Sequence, residues 1–269
     1  MKAIEILSLL QLQITMVTDR HQFILDQLQR DGRVNVLELC KELKVSSVTI
    51  RKDLKLLEKK SLLFRTHGGA DASNPYTVDR HVNEKEKLQS SQKADIATVA
   101  ARLIEPNDSI IIASGTTVLA LAQKIQIKES LTVVTSALNV AIELIKHSNV
   151  EVVQLGGFLR RSSSSVTGPY AQNTLNDFFC TKLFLGVDGI DMELGLTTTN
   201  SMEAQLNRQM IAQSQKVIVL SDSTKFGKRG FGRICGLEEV DQVITDSGIS
   251  EHYKKDLEGL GIEVTIVPQ

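Results

Sequence analysis

Apolar residues near the start of the chain recur at helical spacing. Between residues 18 and about 30 they include Phe23, Ile24 and Leu28, and "DGR" at 31–33 ends the pattern. Asn35 is suited to cap a second short helix, and Ser46 a third that runs to about residue 59. The second helix offers several residues for burial: Leu37, Leu39, Cys40 and Leu43.

The segment after these helices predicts a strand and a turn. It reads "SLLFRTHGGA", and Gly68 and Gly69 give the backbone freedom to reverse. Three short helices followed by such a wing predict a winged helix-turn-helix domain over residues 16–70. Residues 71–92 are polar, hold Pro75 and are predicted to form a linker that leads into a helix near 85–103.

Beyond Pro106 the chain changes to short, continuous apolar runs bounded by turn residues. Helical stretches separate several runs, at 117–125, 137–147, 203–214 and 251–260. Strands that alternate with helices predict a mainly parallel sheet covered on both faces, in a larger α/β domain over residues 93–269. The runs are "SIIIASG", "LTVVTS", "VEVVQLGG", "KLFLGVDG", "KVIVLSDS", "QVITDSG" and "VTIVPQ".

The third predicted helix has an apolar face and a cationic face. At about 100° per residue, Ile50, Leu54 and Leu57 form one stripe that is suited to burial. Asp53 lies on the inner flank of this stripe, where a partner within the domain can pair with it. The outward and flanking positions are Val48, Thr49, Arg51, Lys52, Lys55 and Lys59.

The outward face has the chemistry of a double-stranded DNA reader. The hydroxyls of Ser46 and Ser47 stand at a helix N-terminus, which attracts phosphate. Arg51 is suited to bidentate bonding with guanine, and the methyl groups of Val48 and Thr49 to contact with thymine. The lysines, Lys52 and Lys55 among them, are suited to phosphates. The alternative is a capped helix with a solvated basic face, and the preceding short helix and the wing favour DNA.

Charge is distributed unevenly along the 269 residues. Residues 16–70 carry 11 Lys and Arg against 7 Asp and Glu, whereas residues 71–269 carry 19 against 24. This asymmetry indicates a polyanionic partner for the N-terminal domain alone.

The loops after the predicted strands are rich in polar residues. Ser114, Gly115, Thr116 and Thr117 follow a strand and open a helix, so their backbone N–H groups and hydroxyls can form a phosphate cradle. A plain strand-to-helix turn is the alternative. The later loops add cations and carboxylates suited to a phosphosugar: Arg160, Arg161, Asp188, Asp191, Asp222 and Lys225.

Residues 16–70 resemble the N-terminal domain of the DeoR family of bacterial transcriptional regulators. The resemblance lies in "RHQFILDQLQRDGRVNVLELCKELKVSSVTIRKDL" and "LEKKSLLFRTHGGA". It implies operator binding, with Arg65 and His67 of the wing at the DNA backbone or minor groove. Family members commonly carry a second Arg where this chain has Lys52, which retains a phosphate contact without bidentate geometry.

Residues 90–267 resemble the sensor domain of the same family, which is similar in fold to ribose-5-phosphate isomerase. The segments "RRSSSSVTG", "LFLGVDGID" and "GLTTTNSMEAQLNRQMI" are most similar to repressors of N-acetylgalactosamine and galactosamine use. The resemblance implies a phosphorylated sugar effector that releases the protein from DNA. The residues expected to bind this effector are Ser114, Gly115, Thr116, Thr117, Gly157, Arg160, Asp188, Asp191, Asp222 and Lys225.

Two positions depart from the family pattern. Ala113 stands where an Asp is usual, and Thr135-Ser136 stands where many members read Thr-Asn. Both changes remove a polar group expected to face the ligand, so they predict a different effector or a weaker affinity. The run of serines at 162–165 is expected to be either a mobile loop over the site or a solvated loop.

An isomerase fused to a DNA-binding domain is the alternative function. Proton transfer between sugar carbons needs a positioned base and an electrophilic partner. Related isomerases place a Lys and a Glu downstream of their Asp-Gly-x-Asp, but "GLTTTNSMEAQLNRQM" has no Lys. An alignment on "NRQM" puts Gln209 at the position of the Glu, with Glu203 elsewhere, so no enzyme activity is expected. An activator or architectural role stays open, although the polar loops favour ligand sensing.

The remaining features predict a cytoplasmic protein without a cofactor. The three cysteines form no CxxC, the histidines lack metal-ligand spacing, and no apolar run reaches membrane-span length. Paired operator half-sites predict a homodimer or homotetramer. Residues 1–15 lack a signal-peptide cleavage site. They are expected to precede a true start at Met16 or to add a helical turn or two.

Overall fold

A computed structural model describes residues 19–60, 62–66, 68–72, 81–126 and 128–268. The chain divides into two compact units, Met1–Val78 and Asp79–Gln269. The alternative start at Met16 lies outside the described residues. The predicted domain limits at residues 70 and 92 stay predictions, and residues 82–87, inside the predicted linker, form a helix of the second unit.

The first unit is a winged helix-turn-helix, as the sequence predicts. Its three short strands form an antiparallel sheet whose central strand, the second strand of the wing, pairs both with the first wing strand and with a strand that precedes the second helix. The sequence pattern missed this first strand. The elements are α1 (residues 19–31), β1 (Arg33–Asn35), α2 (Val36–Leu43), α3 (Ser47–Lys59), β2 (Phe64–Thr66) and β3 (Gly69–Asp71).

The apolar stripe of α3 forms the centre of this unit. Ile50, Leu54 and Leu57 are buried, and they share one cluster with Ile24 and Leu28 of α1. Asn35 accepts a hydrogen bond from the N–H of residue 37, which confirms it as the cap of α2. The predicted burial of Leu37 is wrong, because α2 turns this side chain outward and leaves 69% of it exposed.

The second unit is built on a seven-stranded sheet. The predicted runs form its strands, and helices over or near the predicted stretches connect most of them, whereas a helix at Pro169–Leu175 was not predicted. The helices are α4 (Val82–Lys87), α5 (Ser90–Ala101), α6 (Thr116–Lys124), α7 (Leu138–Leu144), α8 (Pro169–Leu175), α9 (Ser201–Ala212) and α10 (Glu251–Gly259). The strands of the large sheet are β4 (Ser109–Ile112), β5 (Leu131–Thr135), β6 (Val150–Gln154), β9 (Cys180–Gly186), β12 (Ser214–Leu220), β14 (Gln242–Asp246) and β15 (Glu263–Val267).

Two smaller sheets were not predicted. They are an antiparallel hairpin, β7 (Phe158–Arg160) with β8 (Ser165–Thr167), and a sheet of β10 (Gly189–Asp191), β11 (Gly195–Thr198) and β13 (Gly232–Cys235). Short 3-10 helices at Ser223–Lys225 and Leu237–Glu239 complete the unit.

All strand pairs of the large sheet are parallel, in the order β15-β14-β12-β9-β4-β5-β6. Successive residues of β4 enter different cores: Ile111 joins one apolar cluster, and Ile110 and Ile112 join another. This alternation is expected of a strand buried on both faces. The sheet therefore has a core on each side.

The three cysteines are free thiols. Burial raises the pKa of Cys180 to about 11, so this thiol is protonated at neutral pH. In the described part of the chain, no helix is long and apolar enough to cross a membrane.

Candidate functional sites

The start of α3 is capped as its sequence predicts. The Oγ atom of Ser46 accepts a hydrogen bond from the N–H of Thr49 at 3.2 Å and lies 3.0 Å from the Thr49 hydroxyl. Ser46 is exposed, whereas Ser47 and Thr49 are half-buried. The two hydroxyls of residues 46 and 49 thus order the helix end and leave its first turn open to an anion.

The outward face of α3 is open to solvent. Val48 is 59% exposed, and Arg51, Lys52 and Lys55 are also exposed. The side chain of Lys59 and all of His67 lie outside the described residues. The exposed residues form one continuous surface of cations and a methyl-bearing side chain, which we name the α3 face.

A buried ion cluster fixes α3 against α1. Asp53 is 4% exposed, and its carboxylate accepts hydrogen bonds from Arg20 at 2.5 and 2.9 Å and lies 3.1 Å from Nε2 of His21. Burial opposes ionisation of Asp53, but the bonds from Arg20 and His21 outweigh it and lower its pKa. Asp53 therefore pairs within the unit and orients the α3 face.

The wing residue Arg65 has a partner on α3. Its N–H donates to a carboxylate oxygen of Glu58 at 2.9 Å, and its guanidinium lies 3.6 Å from the same carboxylate. Glu58 thus ties the wing to α3.

In the second unit, the polar loops follow the carboxyl ends of parallel strands. The chain runs from β4 outward to β5 and β6, and then returns to place β9 on the other side of β4. Ligands of open α/β sheets bind where the strand order reverses in this way. Ser114 follows β4 and Asp188 follows β9, so both stand at the reversal.

Ser114 and Arg160 meet at a carboxylate that the sequence did not assign to the site. Oγ of Ser114 donates to Glu203 at 2.9 Å, and the Arg160 guanidinium donates to the other oxygen of Glu203. Burial raises the pKa of Glu203 against the opposing charge of Arg160. Asn200 caps α9 and so places Glu203 in its first turn.

Asp188 is held by backbone, hydroxyl and ammonium donors. Its Oδ2 atom accepts from the Thr198 hydroxyl at 3.1 Å and the Thr199 N–H at 3.2 Å. Its Oδ1 atom accepts from Nζ of Lys85 at 2.8 Å. Burial opposes ionisation of Asp188, but the charges of Lys85 and Lys225 help to lower its pKa.

Asp222 and Lys225 lie on the loop after β12, one strand further along the sheet. Asp222 is buried and accepts from the N–H of Thr224 at 3.1 Å, so its carboxylate shapes the loop. Lys225 lies close enough to Asp188 and Lys93 for its charge to act on both. Burial lowers the pKa of Lys93 to about 8.

We name the set formed by Ser114, Arg160, Glu203, Asp188, Lys85, Lys93, Asp222 and Lys225 the carboxyl-edge cluster. The N-terminus of α6, at Gly115, Thr116 and Thr117, adjoins it through Ser114. Gly115 caps α6 without a side-chain hydrogen bond. Cationic groups next to an open helix N-terminus suit an anion, and the carboxylates suit hydroxyl groups.

Other predicted site residues are engaged differently. Asp191 pairs with Arg229 at 2.6 Å and accepts from the N–H groups of residues 193 and 194, so it closes the β10–β11 turn. Gly157 lies at φ 146°, and a Cβ there would stand 2.7 Å from the carbonyl oxygen of Thr167. Gly157 thus permits a close backbone approach. Arg161 is exposed.

The two departures from the family pattern lie in buried surroundings. Ala113 is fully buried and belongs to an apolar cluster with Val134 and Leu185. Ser136 is 2% exposed, and its carbonyl accepts from the N–H of Val166 at 2.9 Å.

The serine run forms the turn of the β7–β8 hairpin. Oγ of Ser162 accepts from Arg160 at 3.4 Å, and the carbonyl of Ser162 accepts from the N–H of Val82 at 2.6 Å. The carbonyl of Ser164 accepts from the N–H of Leu138 at 2.9 Å. These bonds join the turn to the carboxyl-edge cluster and to α4 and α7.

Sequence reasoning missed Glu203, Lys85 and Lys93. The Asn-x-x-Glu spacing from Asn200 is a capping-box signal. It locates the start of α9 and places Glu203 in the first turn of this helix. Gln209, aligned with an isomerase Glu, instead donates to the carbonyl of Gln172 at 3.0 Å, away from the cluster. In the described part of the chain, no group of three or more His, Cys, Asp or Glu side chains is placed to hold a metal.

Comparisons with known proteins cover both units. Residues 20–75 match a family model described as a DeoR-like helix-turn-helix domain, and residues 88–247 match the DeoR C terminal sensor domain. The "Putative aga operon transcriptional repressor" of Escherichia coli O157:H7 is 36% identical over 95% of this chain and 96% of its own length. The HTH-type transcriptional repressor GlcR of Bacillus subtilis (strain 168) is 31% identical over 91% of this chain and 95% of its own length.

Among solved structures, the probable sor operon regulator from Shigella flexneri is 14% identical to this chain. The aligned region covers 67% of this chain and 91% of that protein's chain, with a TM-score of 0.41. The fold assignment therefore rests on the strand order and on the family models.

Proposed function

We propose that this chain represses a carbohydrate-utilisation operon and is released from DNA by a phosphorylated sugar. The chain belongs to the DeoR family and is a DNA-binding transcriptional regulator. Two relatives that align over nearly the whole chain are named as repressors, one of them of the aga operon. This similarity favours regulation over isomerase catalysis.

The proposed DNA contacts lie on the α3 face and at the wing. A capped helix with exposed cations next to its N-terminus is the form that reads a major groove in helix-turn-helix domains. Arg51 is assigned to base edges, and Lys52 and Lys55 to phosphates. Ser46, Ser47, Val48 and Thr49 approach the backbone or thymine methyls, and Arg65 and His67 contact DNA from the wing.

The carboxyl-edge cluster is the observation that carries the effector assignment. It brings together Ser114 and Asp188 at the reversal of strand order, Lys225 from the loop after the next strand, and Arg160 from the end of β7. The phosphate is assigned to the N-terminus of α6 and the neighbouring cations, and the sugar hydroxyls to Asp188 and Glu203. Asp222 shapes the loop that carries Lys225, whereas Asp191 and Gly157 support the site through backbone geometry.

The proposed regulator acts in the cytoplasm as a homodimer or homotetramer. A symmetric pair of α3 faces suits two operator half-sites. Effector binding then shifts the equilibrium between two arrangements, because only a ligand with different affinities for the two can change DNA binding.

The test is a fluorescence-anisotropy titration of the protein on its own promoter DNA. It is repeated at several salt concentrations and with a panel of sugar phosphates that includes N-acetylgalactosamine 6-phosphate. The proposal predicts salt-sensitive binding that one sugar phosphate relieves. Binding that no sugar phosphate alters would contradict the effector assignment, and the absence of binding would contradict the regulator itself.

A further inference from the structure

We propose that helix α4 is a latch on the carboxyl-edge cluster, held by the Lys85–Asp188 ion pair and opened by a ligand that takes over the Asp188 carboxylate. This inference rests on the proposed function, because it assigns a regulatory step to the same site. It gives α4 a role that neither the family models nor the named relatives assign.

Both ends of α4 form hydrogen bonds with other parts of the second unit. At its start, the N–H of Val82 donates to the carbonyl of Ser162 at 2.6 Å, and the Val82 side chain is buried. At its end, Nζ of Lys93 donates to the carbonyl oxygens of Lys85 at 2.5 Å and Leu88 at 2.6 Å. A lysine from α5 therefore caps the carboxyl end of α4, which is favourable for a cation.

The middle of α4 is fastened by an ion pair. Nζ of Lys85 lies 2.8 Å from Oδ1 of Asp188, and the two side chains are 26% and 14% exposed. Pairs that are partly shielded from water are screened less than surface pairs, and removing one partner of such a pair leaves the other charge unpaired, so loss of Lys85 is expected to weaken the attachment of α4.

By itself α4 is too short to be stable. It has 6 residues, fewer than an isolated helix needs to persist in water. Gln89, at φ 52°, separates α4 from α5, and a left-handed residue at an element end is a suitable hinge. The helix therefore depends on its contacts with the rest of the unit.

Asp188 gives the ligand and the latch a shared partner. Thr198 and Thr199 already occupy Oδ2, and Lys85 occupies Oδ1. A sugar hydroxyl that donates to Oδ1 competes with the Lys85 ammonium for this oxygen atom. A phosphorylated sugar thus favours the unlatched state, which is the differential affinity that a switch requires.

The position of α4 in the chain gives this exchange a consequence. It is the first described helix of the second unit, and residues 73–81 separate it from the last described residue of the DNA-binding unit. Release of α4 would free residues 82–87 to join the segment that connects the two units. We therefore assign the latched state to the operator-bound protein.

Hydrogen exchange of the full-length protein tests the latch without a ligand. Lys85→Met is expected to accelerate exchange of the α4 amides about tenfold, whereas the β4 and β9 amides stay unchanged. Lys87→Met is the matched control, because Lys87 is an exposed lysine of the same helix. Lys85→Arg retains the charge and is expected to preserve protection. Equal α4 exchange in Lys85→Met and wild type would overturn the latch.

Operator release tests the coupling. If N-acetylgalactosamine 6-phosphate or another sugar phosphate releases the wild type, Lys85→Met is expected to respond at a several-fold lower concentration, on the order of 3- to 10-fold. Lys87→Met is expected to match the wild type. Faster α4 exchange with an unchanged release midpoint would overturn the coupling. If no sugar phosphate releases the wild type, the proposed function fails, and the exchange result alone still decides whether the ion pair holds α4.

Discussion

At the level of single residues, the α3 face separates two kinds of DNA contact. Arg51 has a planar guanidinium that can bond to two atoms of one base, whereas Lys55 carries a point charge suited to phosphate. Both are exposed on the same helix. The two residues therefore differ in the part of DNA that they suit, a base edge or a phosphate, and not in their exposure.

Arg51→Ala is expected to weaken operator binding by about 1–3 kcal/mol and to reduce discrimination between operator and unrelated DNA. Lys55→Ala is expected to weaken binding to both DNAs by similar factors and to lower the salt dependence. Anisotropy titrations on operator and scrambled duplexes measure both effects. Unchanged binding in both variants would rule out α3 as the recognition helix.

The buried carboxylate of Asp53 predicts an acid-sensitive DNA-binding unit. Its pKa is lower in the folded chain than in the unfolded chain, so the ionised form stabilises the fold. That stabilisation is complete at neutral pH and is lost as the pH falls below about 3.9 and through the folded pKa.

Asp53→Asn is expected to destabilise the unit by roughly 3 kcal/mol at pH 7, because Arg20 loses its buried partner. The difference from wild type should shrink in strong acid. Hydrogen exchange of the α3 amides across a pH series measures it, after correction for intrinsic rates. A difference that persists undiminished in acid would show that Asp53 acts through packing and not through its charge.

Individual residues were predictable where local chemistry determines their role. Ser46 caps α3, and Asp53 faces inward, because helix periodicity fixes both positions. Glu203 and Lys85 were not predictable in the same way, because their partners lie 89 and 103 residues away along the chain. Asp191 has the right chemistry, but the β10–β11 turn directs it to Arg229.

At the level of elements, the wing depends on one close backbone approach. A Cβ at Gly69 would lie 1.8 Å from the carbonyl oxygen of Val34, on the paired strand β1. Gly68 has nothing within 4 Å of the same position. Gly69 is not among the glycines with positive φ, so it is required by space and not by turn geometry.

Gly69→Ala is expected to separate β3 from β1, to destabilise the wing by about 1–3 kcal/mol and to weaken operator binding. Gly68→Ala is the control and should bind like the wild type. Hydrogen exchange of the β1 and β3 amides and an operator titration report the two effects. Equal behaviour of the two variants would contradict the β1–β3 pairing.

The long elements were predictable because burial requires a recognisable pattern of apolar residues in the sequence. Parallel strands covered on both faces become continuous apolar runs, and the seven runs correspond to the seven strands of the large sheet. The strands β1, β7, β8 and β10 have 3 residues each, too few to show a period. Helix α4 has 6 residues and falls in a polar segment, so it carries no apolar signal either.

At the level of the whole molecule, the order of strands brings the candidate site together. β9 returns beside β4, so loops that are distant in sequence meet at one edge of the sheet. No local pattern encodes that order, which is why the sequence predicted the loops but not the pairing of Ser114, Arg160 and Glu203. A ligand bound at this edge is proposed to control the DNA-binding unit.

Control by such a ligand is tested by measuring operator release in wild type, Lys225→Ala and Lys124→Ala. Lys124 is the control, because it lies in the last turn of α6 and is exposed. All three proteins are expected to bind operator alike. The sugar phosphate that releases the wild type should release Lys124→Ala equally, but Lys225→Ala only at about tenfold higher concentration or more, since a charge-assisted bond is lost. Release of Lys225→Ala at the wild-type concentration would contradict ligand control through this edge of the sheet.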